Sequence, residues 1–195
     1  MPTKHREARI KNVVARREAG LVVVLEDIFD PHNAGAIFRT CDALGIQEAH
    51  LVFKSEKRFN PRRVGRRSSS SANKWLTFHV YASIRDCIGK LRRRGYEIVA
   101  TALDGEAENL YNAKFKRKKI ALLVGNEHRG LSKEAIALAS RKIMLPMRGM
   151  VESLNVSVST AIFLYEIVRS RTSSHLSRKL SYNESKHLLK ELLER

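Results

Sequence analysis

Apolar residues fall into short runs along this chain, and their spacing switches between the periods of strands and of helices. Leu21 to Leu25 is wholly apolar and rich in valine, which reads as a strand buried on both faces, as in a parallel sheet. Residues 46–53 (IQEAHLVF), Glu97 to Ala102, Ile120 to Val124 and Lys142 to Leu145 predict further strands. Between them, Ala34 to Leu44 (closed by Gly45), residues 83–94, Ser132 to Ala139 and Val156 to Arg171 predict helices. A helix is also expected over residues 4–18, with Ile10, Val13 and Val14 on one face and Gly20 as its stop. Strands alternating with helices predict an α/β fold, a mainly parallel sheet flanked by helices.

Two segments leave the alternation. Residues 54–74 (KSEKRFNPRRVGRRSSSSANK) are basic, serine-rich and poor in apolar positions, so a mobile surface loop is expected there. Residues 173–195 form a short tail beyond a domain spanning 1–172. Its Leu188, Leu189, Leu192 and Leu193 predict an amphipathic helix that docks on its own domain or on a second subunit.

Composition narrows the partners. The 195 residues carry a formal charge of +17 with 43% hydrophobic residues, enough for a core and a strong positive field. Polyanions are the natural partners, because Lys and Arg gain affinity by displacing the counterions of phosphates. No long apolar run or lipidation motif points to a membrane, so the expectation is RNA or DNA. Basic runs at Arg62, Arg63, Arg66 and Arg67, at Lys90 and Arg92 to Arg94, and at Lys114 and Lys116 to Lys119 are candidate contacts. The two cysteines, Cys41 and Cys87, sit in apolar stretches and read as buried thiols. A polar, basic N-terminus without a leader places the chain in the cytoplasm.

Familiar site fingerprints are missing. Neither G-x-G-x-x-G nor a P-loop occurs, and the seven histidines make no H-E-x-x-H or Cys/His zinc pattern. Three loops remain, each following a predicted strand, where parallel sheets bind ligands. In DPHNAGAIFRTCDALG (30–45), Asn33 is placed to cap a helix, and Arg39 lies in an apolar stretch where arginine needs an anionic partner. That partner is either a carboxylate such as Asp42 or a phosphate or ribose. In LLVGNEHRG (122–130), Gly125 permits close approach of a ligand or backbone, and Glu127 can orient a polar group. In the third, residues 143–166, Ser153 and Asn155 stand at a helix N-terminus, as ordinary caps or as a polar ligand site.

At these loops the chain resembles the SPOUT superfamily, in its SpoU/TrmH branch of RNA ribose 2′-O-methyltransferases. The resemblance rests on Asn33 and Arg39 in NAGAIFRT, on Gly125, Glu127 and Gly130 in G-x-E-x-x-G, and on the ungapped run from Pro146 to Ser159. Within that branch it is most similar to tRNA guanosine-18 2′-O-methyltransferases, through Ala100 to Leu103. The resemblance implies a C-terminal trefoil knot and S-adenosylmethionine as cofactor, held by Thr101, Gly125, Leu145 and Leu154. It implies a reaction needing no metal, with Arg39 on the RNA, Asn33 and Glu127 orienting Arg39 and the ribose, and Ser153 and Asn155 completing the pocket. It further implies a homodimer with a shared site, acting on tRNA. Alternatives are a 23S rRNA ribose methylase and an RNA-binding protein of the same fold without activity.

Overall fold

The computed structural model of the chain describes every residue except 1–2, 64–65, 104 and 117–118, with backbone alone at Arg66 and Arg67. Its strands are Glu18–Glu26 (β1), Ile46–Val52 (β2), Thr77–Tyr81 (β3), Glu97–Thr101 (β4), Glu108–Asn109 (β5), Ile120–Val124 (β6) and Arg141–Met144 (β7). They form one seven-stranded sheet in the order β3-β2-β1-β6-β4-β7-β5. Every pairing is parallel, which bears out the α/β expectation. The sequence pattern missed β3 and the two-residue β5, both at sheet edges, where burial imposes less of an apolar signature.

The helices are Lys4–Ala15 (α1), Pro31–Ala43 (α2), Arg66–Ser69 (α3), Ile84–Arg93 (α4), Lys133–Ala137 (α5), Val156–Ser173 (α6) and Tyr182–Glu194 (α7). Successive residues of β1 point to opposite faces. Leu21, Val23 and Leu25 pack with Ile37 and Phe38 of α2 and with Phe163, Leu164 and Ile167 of α6. Val22 and Val24 pack with Ile84, Ile88 and Leu91 of α4 and Ala135 of α5. An unbroken apolar run is what a strand covered on both sides requires. Cys41 and Cys87 fall one in each core layer, and burial pushes both thiols up to about 12.

Several boundaries differ from the periodic reading, each for a local reason. Helix α1 ends at Ala15, short of the predicted residue 18, because Arg17 turns into the fold at 1% exposure. Its guanidinium donates to the Asp42 carboxylate at 2.7 Å and to the Asp42 carbonyl at 3.2 Å. Asp42 is therefore the partner of Arg17 and not of Arg39. Gly45 allows this crossing: its φ is +78°, and a Cβ there would lie 2.8 Å from the Arg16 carbonyl oxygen. Helix α2 begins at Pro31, and its cap is Asp30, which accepts the His32 N–H at 2.8 Å. Asn33 is thus not a cap, and its side chain is free for the site.

The described residues of 54–74 are more structured than a mobile loop. Helix α3 and a 3-10 turn at Ala72–Lys74 pack on α2, with Ser69, Ala72 and Asn73 buried. The Asn73 amide donates to the Arg62 carbonyl at 3.0 Å, and Phe59 meets Phe53 edge to face. A few apolar anchors hold a segment whose average composition is polar. The tail chooses its own domain: Leu188 and Leu192 of α7 bury against Ile10 and Val14 of α1, with Trp75 alongside. Among the described residues no helix is long and apolar enough to cross a membrane.

The Arg17–Asp42 geometry separates two neighbouring charges experimentally. Asp42→Ala leaves a buried guanidinium without its anion and is expected to cost about 3 kcal/mol in urea unfolding. Arg39→Ala removes an exposed side chain and should change stability by less than about 0.5 kcal/mol. Comparable losses for the two variants would overturn the assignment of Asp42 to Arg17.

Candidate active site

The chain runs from β1 outward through β2 and β3, then crosses to lay β4 and β6 on the other side of β1. Such a change of direction opens a crevice at the carboxyl ends of the strands. Here the crevice is a cavity of about 490 Å³, within the size range of small-molecule sites. Thr101 at the end of β4, Gly125 after β6 and Leu145 after β7 line it, and Leu154 and Ser153 come from the segment before α6. The four residues expected to hold a cofactor therefore share one cavity. Glu127 and Met147 also line it.

The turn after β6 is closed on itself. Asn126 N–H donates to the Gly130 carbonyl at 3.0 Å, and Gly130 N–H returns to the Asn126 carbonyl at 2.9 Å. A Cβ at Gly125 would lie 2.2 Å from the Gly130 carbonyl carbon, so only glycine fits. Backbone, not side chain, forms this wall, as a ligand bound mainly by main-chain groups requires.

Beside the cavity, polar side chains from all three loops make one hydrogen-bonded chain. The Glu127 carboxylate accepts the N–H groups of Phe29 (2.8 Å) and Asp30 (3.1 Å) and the Asn33 amide (2.9 Å). The Asn33 carbonyl oxygen accepts the Asn155 amide at 3.1 Å. Asn155 caps α6, its oxygen accepting the Ser157 N–H at 2.8 Å. Each orientation dictates the next. A carboxylate only accepts, so Asn33 must turn its NH₂ to Glu127 and its oxygen to Asn155. Burial alone would raise the Glu127 pKa, but these donors outweigh it and hold the carboxyl below its usual range. Glu127 is thus a fixed anion and a poor proton acceptor.

Arg39 stands apart from this chain. Six helical residues separate it from Asn33, about 9 Å along the axis and on a different face. It is exposed, and among the described residues it has no hydrogen bond or ion pair. The expectation that Asn33 and Glu127 orient Arg39 is therefore corrected, since their polar atoms are engaged with the Phe29–Asp30 turn and with Asn155. What they fix is the start of α2, the helix that carries Arg39.

Of the basic runs, Arg62 and Arg63 are exposed on the segment that packs on α2, and Arg62 lies 5.6 Å from the Phe78 ring centroid. The side chains of Arg66 and Arg67 lie outside the described residues. Two cations of the run at the end of α4 are committed internally: Arg92 donates to the Leu138 carbonyl at 2.7 Å, and Arg94 forks onto Glu48 at 2.7 and 2.8 Å. The run also occupies the opposite sheet face from α2, so it does not continue the same basic surface. In the third run Lys119 donates to the Arg94 carbonyl at 2.7 Å, and residues 117–118 are outside the described set.

Three supporting residues escaped the sequence reading. Asn126 is buried, donates to the Asp27 carbonyl at 2.8 Å and accepts the His128 and Arg129 N–H groups at 2.9 and 3.1 Å. Asp27, at φ 51°, accepts the N–H groups of Lys54, Ser55 and Glu56. Glu26 accepts both the N–H and the hydroxyl of Ser132 at 2.8 Å. The available signal was three acidic or amide residues next to strand ends; their partners are too far along the chain to be inferred from spacing.

A parallel α/β sheet with a backbone-walled cavity at its carboxyl edge and a polar chain beside it is the arrangement of an α/β protein that binds a small molecule at its strand ends. The chain belongs to the SpoU rRNA Methylase family, whose model matches residues 20–165. It is 40% identical over 176 residues to a tRNA (guanosine(18)-2′-O)-methyltransferase of Thermus thermophilus, covering 89% of this chain and 87% of that one. The crystal structure of the Aquifex aeolicus TrmH/SpoU tRNA modifying enzyme superposes with a TM-score of 0.88 at 32% identity, covering 98% of this chain and 96% of that chain. The SpoU methyltransferase AviRb of Streptomyces viridochromogenes, solved with its cofactor AdoMet, gives 0.71 at 27% identity, covering 83% and 64%.

Replacing Glu127 by Gln tests the chain of donors. The new NH₂ must face an N–H or the Asn33 amide, so a loss of about 1–3 kcal/mol in unfolding free energy is expected at neutral pH. A folded-state pKa held low stabilises the protein above the ordinary glutamate range and loses that advantage as pH falls through it. The wild-type and Glu127→Gln stabilities should therefore converge in acid. A gap that persists unchanged there would mean the carboxylate charge is not what matters.

Proposed function

We propose that this protein is an S-adenosylmethionine-dependent 2′-O-methyltransferase that modifies the ribose of guanosine 18 in tRNA. The observation that carries this reading is the Glu127–Asn33–Asn155 chain, which joins the three loops beside a cavity walled by Gly125 and lined by Thr101, Leu145 and Leu154. The cavity fits the cofactor by size and by its main-chain wall. S-adenosylmethionine, when bound there, supplies an electrophilic methyl group. The protein's task is then to bring one ribose hydroxyl to that methyl and to dispose of its proton.

Glu127, Asn33 and Asn155 hold the rim rigid, so little reorganisation is needed when RNA arrives. Ser153, exposed at the cavity, is placed to contact the substrate. Arg39 stays protonated and is no base. Its exposed guanidinium binds a substrate phosphate next to the reacting hydroxyl, stabilises developing negative charge on the oxygen, and leaves the phosphate or water to take the proton. Arg62, Arg63, Arg66 and Arg67, on the segment beside α2, extend the RNA surface, and the work is done in the cytoplasm.

The active unit is a homodimer in which Arg39 serves the partner's cavity. What supports this is Arg39, which has no partner among the described residues, together with an exposed apolar stripe on α6, Val158, Ile162 and Tyr165, continued by Val151 and Leu154. These positions recur at helical spacing on one face and need a cover. The C-terminal segment threads as a trefoil knot, a reading supported by β6 lying between β1 and β4 while the segment after β7 returns to the same edge. Residues 1–172 are the catalytic domain, and the 173–195 tail braces α1.

Incubation with labelled S-adenosylmethionine and tRNA, followed by mapping of the modified ribose, tests the activity. Label found only in rRNA, or none at all, would overturn it. Arg39→Ala is expected to abolish transfer while cofactor affinity stays within about threefold, under roughly 1 kcal/mol. Loss of cofactor binding in calorimetry would put Arg39 in the wrong role. Mixing Arg39→Ala with Asn155→Ala chains under subunit exchange should restore activity, because one of the two shared sites is then intact. A monomer by light scattering defeats that arrangement. Neutralising Arg62, Arg63, Arg66 and Arg67 should reduce the slope of log affinity against log salt by about one for each phosphate that no longer meets a cation. An unchanged slope removes that segment from the RNA surface.

A further inference from the structure

On the sheet face away from α2 and α6, the edge strand β3 and its neighbour β2 bring three metal-ligating side chains together. His50 pairs directly with His79 across the strands, and Glu48, two residues before His50, projects on the same side. The Glu48 Oε2 atom lies 3.4 Å from His50 Nε2 and 3.3 Å from His79 Nε2, and all three donor atoms fall within 4.8 Å of one another. A tetrahedral cation with bonds of about 2.0–2.1 Å would separate its ligand atoms by roughly 3.3–3.4 Å.

The surroundings orient these donors as metal sites do. Arg94 forks onto both oxygens of Glu48 at 2.7 and 2.8 Å, fixing the carboxylate while leaving an Oε2 lone pair toward the imidazoles. His50 is 1% exposed and has its Nδ1 3.3 Å from the Tyr81 hydroxyl. If Nδ1 donates to Tyr81, the Nε2 lone pair faces the cluster; among the described residues Nε2 is buried without a well-formed hydrogen bond, 3.4 Å from Glu48 Oε2. His79 is partly exposed and leaves a way in from solvent.

We propose that Glu48, His50 and His79 bind one divalent transition-metal cation, zinc by donor type, which clips the edge strand β3 to β2. Two imidazole nitrogens and one carboxylate oxygen suit zinc over calcium or magnesium, which prefer all-oxygen shells. Tyr81 and Arg94 act as the outer partners that hold His50 and Glu48 in place. The adjacent Arg94 charge opposes the cation, so affinity rests on the preset geometry. The site lies on the α4 side of the sheet and takes no part in methyl transfer. No spacing motif announces it, because its ligands are shared between two strands.

The test titrates metal-stripped full-length protein with Zn²⁺ against a chromophoric chelator, and follows thermal unfolding with Zn²⁺ or with EDTA. One equivalent per chain is expected to bind in the wild type and to raise the melting temperature. His79→Ala, at a partly exposed edge position, should weaken that equivalent by about 100-fold or more and abolish the thermal shift. Circular dichroism checks that the variant is folded, and His79→Gln, which keeps most of the side-chain volume, replaces it if it is not. The other histidines are common to both proteins, so only the difference counts. Equal Zn²⁺ binding by wild type and folded variant, or no binding by either, would overturn the proposal and leave a proton shared between Glu48 and the histidines.

Discussion

Glu127 is placed where three stretches of chain must meet, and what it does there is accept hydrogen bonds. Two of its donors are backbone N–H groups at the turn leading into α2, and the third is the Asn33 amide. These groups would otherwise be left short of acceptors at the lip of a cavity. A partly buried carboxylate that satisfies three donors is costly to disturb, because any neutral replacement strands at least one of them. The position of α2 relative to the β6 turn, and through Asn155 the position of α6, follow from this one acceptor.

The same device recurs along the sheet's carboxyl edge. Glu26 ties the N-terminus of α5 to β1, and Asp27 gathers three consecutive N–H groups of the segment after β2. Asn126 then links Asp27 to the β6 turn. Loops that would each be free to move are thus fastened to the rigid centre of the sheet by side chains of β1 and its immediate continuation. A cavity built on such an edge keeps its shape before any ligand enters, which is the form of preorganisation that methyl transfer requires.

Charge is divided in a parallel way. Of the arginines, Arg17 and Arg171 are buried and held by Asp42 and Glu18, and Arg94 is held by Glu48. Arg39, by contrast, has no anion among the described residues and stands on the helix whose start the site fixes. Because each of these pairs is neutral, the net charge of +17 is carried by the other cations of the chain. Arg39, Arg62 and Arg63 are exposed cations on α2 or on the segment that packs against it.

By itself the sequence determined the alternation of strands and helices, the double-sided burial of β1, and the three loops in which Asn33, Gly125, Glu127 and Asn155 stand. These are legible because period and turn chemistry act over a few residues, and because G-x-E-x-x-G and S-L-N-V-S keep their spacing within one loop. Only the tertiary structure decided that β6 lies beside β1, that Asp42 belongs to Arg17, and that Glu127 bonds Asn33 and leaves Arg39 free. It also decided that α3 and the 3-10 turn at Ala72–Lys74 fold onto α2, that α7 docks on α1, and that His50 faces His79. Each of these joins residues far apart in the chain. Such pairings depend on strand order and on which face a side chain takes, and local periodicity carries no record of either.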